Sequence, residues 1–407
     1  MPKPSLYSQI EATQVTGNHL IPSPRHWNCG LLRYKGRLWL CYRYHLGAHH
    51  GSRCATAMVP IDRETFQPTQ PSQHLNLRSV IGDEHFEDAR LFMFKGEVYI
   101  SYTKMTGYQP GKDYNCSVEY AKLKLKGSTW HVEETWHPQF GQNSGFGKEK
   151  NWIFFEQAGA LWCIYQDHPS RKVLRVEGDK VMEVVESAAP VWQWGQIRGG
   201  TPPVPYGDGS RMLAVFHSSL QTEDAPHFRR YYGAAYLFEA KPPFRVTAIT
   251  AKPLMSGSEQ DGHGFDPRYS HGWKPFIPFP CGLVTEGENW LVSLGVNDWQ
   301  CAVGRLRPEQ LQWMAPDGSG RPMRYFRTDN GSKPIRIVGA DQAVLFVNWD
   351  VPRPDGRGAR APSGYKATDD GRLCEMIEEQ VGVEEITAEQ YRAAMVRSGK
   401  SLMFVGQ

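Results

Sequence analysis

Short apolar runs separated by Gly-bearing turns recur along the first three quarters of the chain. No stretch before residue 375 keeps the roughly 3.6-residue period of an amphipathic helix. The recurring unit is a polar residue, an apolar strand, a tight turn, a second apolar strand with a polar end, and a third strand. In its first copy Asn28-Cys29-Gly30-Leu31-Leu32-Arg33-Tyr34 leads through Lys35-Gly36 to Leu38–Arg43. The second runs from Glu87-Asp88-Ala89-Arg90 through Lys95-Gly96 to Val98–Lys104, and the third from Lys150-Asn151 through Ala158-Gly159 to Leu161–Gln166. The fourth runs from Arg198-Gly199-Gly200-Thr201 through Gly207–Gly209 to Met212–His217. The fifth runs from Phe279-Pro280-Cys281-Gly282 through Glu286–Asn289 to Trp290–Asp298. Third strands begin at Cys54, Ser117, Lys172, Tyr232 and Cys301.

Turns of this kind suit hairpins, and continuous apolar strands suit sheets covered on both faces. A repeat of about 40–50 residues is the mark of propeller blades. The pattern therefore predicts an all-β, five-bladed β-propeller over residues 1–305; an irregular β-sandwich is the competing fold. Residues 306–407 break the pattern and read as a small C-terminal extension of mixed structure. In it Ile335–Val338 and Ala343–Val347 look like strands, Asp350–Ser363 like a long loop, and Thr387 like the N-cap of a helix. Equivalent strand ends in successive blades face the same central cleft. Asn28, Arg43, Asp88, Arg90, Lys104, Lys150, Asn151, His217 and Asp298 all hold such positions, which gathers them around one opening.

Composition narrows the function classes. Net charge is +3 and the basic residues form no long runs, which argues against nucleic acid and anionic membranes as partners. No apolar run approaches the 18 or so residues that span a bilayer. The first residues lack a signal-peptide core, and the eight cysteines are dispersed without a CxxC pair. Buried free thiols and a cytoplasmic protein are expected. Aromatic residues reach 12%, with 13 Trp, a content that suits sugar binding and is also common in all-β folds.

Asp88 is the strongest candidate for chemistry. Glycoside cleavage needs a carboxylic acid to protonate the leaving oxygen, although a carboxylate at this strand start could simply bridge to Arg90. Arg43, Lys150 and His217, with Arg90 nearby, could form an anion site; a packed histidine closing a strand is the plainer account of His217. Asp298 could hold sugar hydroxyls, position the acid, or merely end its strand. Other chemistries fail on motif: Gly199–Pro203 lacks the Lys and spacing of a phosphate-binding loop. His49-His50 and Asp261–His263 have no partner at metal-ligand spacing, and no Gly-x-Ser-x-Gly elbow occurs. No metal or cofactor is expected.

At these motifs, over about residues 20–305, the chain resembles glycoside hydrolase family 130, the mannoside phosphorylases and related mannosidases. The matching residues are Asn28-Cys29-Gly30, Tyr42-Arg43, Glu87-Asp88-Ala89-Arg90, Tyr102-Thr103 and Glu149-Lys150-Asn151. They continue with Gly199–Pro203, His217, Tyr231–Ala234, Pro280–Val284 and Gly295–Asp298. The resemblance implies an inverting reaction at a β-mannoside with Asp88 as proton donor, acting directly or through a sugar hydroxyl. It implies Arg43, Lys150 and His217 as ligands of inorganic phosphate, the co-substrate in a phosphorylase. Asn28, Arg90, Asn151, Tyr232 and Asp298 would bind the oligosaccharide. Departures are Ala89 in place of the usual Pro, Gln166 where Arg is common, and no Arg in the Asn115-Cys116-Ser117 stretch. A weakened anion site favours hydrolysis by water. A carbohydrate-binding or protein-interaction propeller without catalysis is the alternative function.

Overall fold

In the computed structural model the described residues are 10–46, 53–77, 85–106, 114–144, 148–167, 170–192, 194–222, 225–256 and 277–317. Shorter described stretches lie at 323–328, 334–338, 344–348, 367–368, 383–387 and 390. The His49-His50 pair, Asp261–His263 and the expected loop at 350–363 fall outside them.

The architecture is a five-bladed β-propeller, and every blade is an antiparallel sheet. Blade 1 orders His26–Tyr34, Arg37–His45, Cys54–Ile61 and Gln73–His74 from the centre outward. Blade 2 follows with Phe86–Phe94, Glu97–Thr106, Asn115–Lys126 and Thr129–Trp136. Blade 3 has Ile153–Gln157, Ala160–Gln166, Ser170–Glu177 and Lys180–Ala188. In blade 4 the inner strand is split into Gln196–Arg198 and Val204–Tyr206, both paired with Arg211–Thr222. Its outer strands are Ala225–Glu239, Val246–Thr250 and Trp313–Met314. Blade 5 contributes Pro278–Glu286, Asn289–Val296 and Gln300–Leu306. Its fourth strand is Glu11–Gln14, which precedes blade 1 in the sequence, so the ring is closed where that strand pairs with Gln300–Leu306. That strand carries no repeat signature, and sequence reasoning did not find it.

The hairpins form where the turn chemistry places them. Lys35-Gly36, Lys95-Gly96 and Ala158-Gly159 all have both residues at positive φ, between 48° and 75°. That is the type I′ geometry whose twist matches the flanking strands. Each is a two-residue loop, with Tyr34 opposite Arg37, Phe94 opposite Glu97 and Gln157 opposite Ala160.

The core is divided among the seams between blades. Because side chains alternate along a strand, one face of each blade meets the preceding blade and the other face meets the next. In blade 4, Met212, Ala214 and Phe216 pack with Ile153, Phe155 and Ile164 of blade 3. The intervening Leu213 and Val215 pack with Leu283, Val292 and Leu294 of blade 5. Equivalent clusters fill the remaining three seams. This explains why the strands read as continuous apolar runs.

One seam also carries charge. Arg171 and Asp167 are fully buried and paired with each other. Tyr236 of blade 4 donates to Asp167 at 3.1 Å, and Arg171 Nε donates to the Phe244 carbonyl at 2.9 Å. The seven described cysteines are free and buried. Among the described residues no helix is long and apolar enough to cross a membrane.

The C-terminal part forms a separate sheet that includes Met323–Thr328, Pro334–Val338, Val344–Asn348 and Val383–Ile386. Thr387 and Gln390 exchange two hydrogen bonds, at 2.7 and 3.1 Å, in the manner of a capping box.

Asp167→Ala is expected to destabilise the propeller by roughly 3–5 kcal/mol, because it strands the Arg171 charge in a dry seam. Urea unfolding followed by tryptophan emission checks this; a loss within experimental error of zero would contradict the role given to the pair.

Candidate active site

The cleft is built from a repeated backbone irregularity. In blade 1 the register passes from Trp27 opposite Arg43 to Gly30 opposite Cys41, so the inner strand carries one extra residue. In blade 2 it passes from Glu87 opposite Thr103 to Arg90 opposite Ser101, the same one-residue bulge. The bulges place Asn28 at φ 50° and Asp88 at φ 55°, and Asn151 at the head of blade 3 stands at φ 63°. Left-handed backbone costs a non-glycine residue about 1 kcal/mol, least for Asn and Asp. Bulges of this kind re-aim side chains beside functional sites. Blade 5 adds Asn297 and Asp298, both left-handed, in a three-residue hairpin loop between Val296 and Gln300, with Trp299 N–H on the Val296 carbonyl at 3.0 Å.

The re-aimed side chains meet in one network. Asn28 Nδ2 donates to Asp88 Oδ1 at 2.7 Å, and Arg43 Nη1 reaches the same oxygen at 3.5 Å. Arg43 Nη2 is paired with Glu87 Oε1, while Lys150 Nζ holds Glu87 Oε2 at 2.8 Å. His85 Nε2 stands 3.3 Å from Glu87 Oε1. Glu87 thus bridges two cations from blades 1 and 3. The Arg43 guanidinium lies 4.6 Å above the Trp27 ring, and Lys148 and Lys150 flank Tyr114 at 4.5 and 5.7 Å. Asp88 is 6% exposed, so its carboxyl is nearly enclosed before any ligand arrives.

Charge states follow from these contacts. Burial alone would raise the Glu87 pKa, but Arg43 and then Lys150 outweigh it and hold the carboxyl well below its ordinary range. Burial likewise opposes the charge on Lys150, yet Glu87 and Asp88 keep the ammonium protonated beyond its usual range. Asp298 is exposed at its hairpin tip, but the protein around it still costs the carboxyl part of its hydration. That desolvation raises its pKa to about 6; Arg43 opposes the shift, and Asp88 and Glu87 reinforce it.

Not every expected residue opens into this cluster. Arg90 is 2% exposed and its donors go to protein: Nε to Gly200 O at 2.6 Å, Nη1 to Asp88 O at 2.8 Å, Nη2 to Asn151 Oδ1 at 3.0 Å. His217 is 1% exposed, 4.5 Å from the Phe279 ring and stacked on Tyr231 at 5.8 Å. Burial, with Arg198 and Arg90 nearby, lowers its pKa far enough to leave the imidazole neutral. Tyr232 is buried 5.1 Å from the Trp194 ring, and Lys104 is wholly buried. Sequence reasoning passed over Glu87 as the bridge and His85 as its neighbour. The available signal was the doubled carboxylate at a position where blade 1 carries only Asn28. A close fit protects Asn28: a Cβ on Gly295 would lie 1.9 Å from Asn28 Oδ1.

A family model described as β-1,4-mannooligosaccharide phosphorylase matches residues 64–315, more than half of the chain. A search of curated proteins finds no match. Among solved structures, β-1,2-mannobiose phosphorylase from Listeria innocua aligns at 13% identity and TM-score 0.53, over 74% of this chain and 98% of that one. A candidate glycosidase from Bacteroides thetaiotaomicron aligns at 14% identity and TM-score 0.52, over 76% and 99%. A structure from work on family 130 glycoside hydrolases that target β-1,2 mannosidic linkages in Candida mannan aligns at 11% identity and TM-score 0.50, over 75% and 93%. At these identities the structural likeness speaks to the fold. The family match goes further: the chain belongs to glycoside hydrolase family 130 and is a carbohydrate-active enzyme of the hydrolase and phosphorylase class, acting on mannosidic linkages.

Glu87→Gln is expected to lower stability by about 3 kcal/mol at neutral pH, since it leaves Arg43 and Lys150 without their shared counter-charge. Glu87 has a depressed folded pKa, so its contribution is complete above its unfolded value near 4.5 and fades as pH falls through the folded value. The denaturation curves of the wild type and the Glu87→Gln variant should therefore converge in acid; a gap independent of pH would contradict the ion-pair account.

Proposed function

We propose that the cleft cleaves a β-mannoside with inversion, Asp88 acting as proton donor and inorganic phosphate as acceptor. The observation that carries this reading is the joint placement of Asp88 and Glu87 on one bulge, with Arg43 and Lys150 drawn onto it from the blades on either side. An enclosed carboxyl and a cationic cluster are then a side chain's width apart. An inverting displacement needs a proton donor at the leaving oxygen and a nucleophile on the opposite face of the sugar. The glycosidic C–O bond breaks as a phosphate oxygen bonds to the anomeric carbon. The proton from Asp88 goes to the departing oxygen, directly or through a sugar hydroxyl, and the product is an α-mannosyl phosphate.

In this reading Asn28 holds Asp88 in position, and Arg43 and Lys150 take the phosphate charge. His217 offers a neutral hydrogen-bonding group behind Phe279 in place of a cation. Asn151 and Asp298, at the cleft's rim, are polar partners for sugar hydroxyls, with Arg90 bracing the floor and Tyr232 packing behind. The reaction needs no cofactor. The propeller carries the whole site; its expected end at residue 305 moves to Met314, whose strand completes blade 4, and the extension follows. Seven free buried thiols suit a reducing, cytoplasmic setting.

Hydrolysis is the second reading. Glu87 already neutralises both Arg43 and Lys150, and no arginine lies at Asn115-Cys116-Ser117 to add a third charge.

Incubation with β-1,2- and β-1,4-linked mannobiose, with and without phosphate, decides between them. Mannose 1-phosphate formed only with phosphate supports phosphorolysis; free mannose at a phosphate-independent rate supports water as acceptor. Asp88→Asn is expected to lower kcat/KM about a thousandfold, within the usual range for loss of a general acid, while saccharide binding persists. An Asp88→Asn variant as active as the wild type would remove Asp88 from the mechanism. Gly295→Ala is expected to lower kcat several-fold with KM little changed, because it pushes Asn28 off Asp88; unchanged kcat would show that Asn28 does not position the acid.

A further inference from the structure

Beside Arg43 in blade 1 lies a buried cysteine that the reaction above does not use. Cys54 opens the third strand of blade 1 and stands opposite His45 in register, its sulfur 3.8 Å from His45 Nδ1. It is 1% exposed. Its sulfur lies within electrostatic reach of the Arg43 guanidinium and beside the imidazoles of His45 and His85. Two of those three, Arg43 and His85, also hold Glu87. Cys54, Arg43, Glu87 and His85 therefore form a closed ring of contacts between blades 1 and 2, with Asp88 reached through Arg43.

We propose that Cys54 is a positioning residue of the cleft, its sulfur serving as a third anion on the Arg43 guanidinium beside Glu87 and Asp88. The charged and titratable groups facing it are Arg43 and His45 from its own blade, and His85 and Glu87 from blade 2. Burial pushes the thiol up, but Arg43 and then the hydrogen bonds to His45 and His85 outweigh it and bring its pKa down to about 6. The effect is mutual: burial would lower His85, yet its bonds to Cys54 and Glu87 raise it. Elsewhere burial dominates, raising Cys41 to about 12 and Cys116 to about 11, with Cys163, Cys281 and Cys301 also raised. The low value belongs to this ring of contacts and does not follow from burial in a propeller seam.

The consequence for Arg43 is a fixed location. An incoming anion competes with Glu87 for the guanidinium, and a side chain held by Glu87 alone would follow the newcomer. With the sulfur anchored by two histidines, Arg43 stays in register over Trp27 and beside Asp88 while Glu87 exchanges partners.

Ultraviolet titration of thiolate absorption in the folded, full-length protein tests this without any substrate. Wild type should show a thiolate band with a midpoint near 6 that is missing in Cys54→Ser. Arg43→Gln should move that midpoint up by at least about one pH unit, a tenfold weakening of the thiol's acidity. A wild-type midpoint at the ordinary thiol value of 9.0 or above, or one that Arg43→Gln leaves in place, would overturn the proposal.

A kinetic arm rests on the proposed cleavage. Cys54→Ser should cost about tenfold in kcat/KM, the scale of a small displacement of a positioned group. Cys54→Asp, which restores an anion, should recover part of that loss. Wild-type rates in both Cys54→Ser and Cys54→Ala would overturn the positioning role even if the thiolate band is present. An enzyme inactive on every mannoside would count against the proposed cleavage and leave the titration to judge Cys54.

Discussion

The molecule turns on a single guanidinium. Arg90 rises from blade 2 into the centre, where it bonds Gly200 of blade 4, Asn151 of blade 3 and the Asp88 carbonyl of its own blade, and lies 5.5 Å from the Phe279 ring of blade 5. Four of the five blades are thus referred to one rigid, planar cation. The geometry of guanidinium suits this, since its donors fan out in fixed directions and cannot be lost by deprotonation. A propeller whose seams are filled by separate apolar clusters has good adhesion between neighbours but little to fix opposite blades. Arg90 supplies that link at the level where the catalytic candidates sit. Its bond to the Asp88 carbonyl also fixes the backbone of the residue that must be most accurately placed.

Above this floor the cleft is made by left-handed backbone, used three times in succession. Asn28, Asp88 and Asn151 occupy the same structural position in blades 1, 2 and 3, and each is one of the two residue types that tolerate it. The strain is small and local, and the surrounding ladder enforces it. In return a side chain that would alternate into a seam is directed toward the axis. Glu87, beside the second bulge, draws in Arg43 and Lys150, so the electrostatics of the cleft depend on strand irregularity as much as on residue identity.

Much of this was legible in the sequence. The five units, their turns at Lys35-Gly36, Lys95-Gly96 and Ala158-Gly159, and the gathering of Asn28, Arg43, Asp88, Lys150 and Asn151 all follow from periodicity and turn chemistry, because those signals are local. What escaped reading was non-local. The Glu11–Gln14 strand resembles no blade start, and only its pairing with Gln300–Leu306 gives it meaning. Arg90 looks like a ligand-binding residue in sequence, and its use as a brace depends on Asn151 and on the Gly200 carbonyl, 61 and 110 positions away. His217 closes a strand at the expected repeat position, yet the rings of Phe279 and Tyr231 decide that it is enclosed and neutral. Cys54 carries no signal at all until Arg43, His45 and His85 are seen around it.

The latch at Glu11–Gln14 has a consequence for how the chain reaches its final form. During synthesis that strand leaves the ribosome well ahead of its partner at Gln300–Leu306, which emerges nearly three hundred residues later. Until then the nascent ring is an open arc, with apolar faces of blades 1 and 5 uncovered and an unpaired strand edge at each end. Local hairpins can form blade by blade as they appear, but the seam between blades 1 and 5 can close only once Gln300–Leu306 has emerged. Protection of that seam in the interval becomes a requirement on the cell that makes the protein.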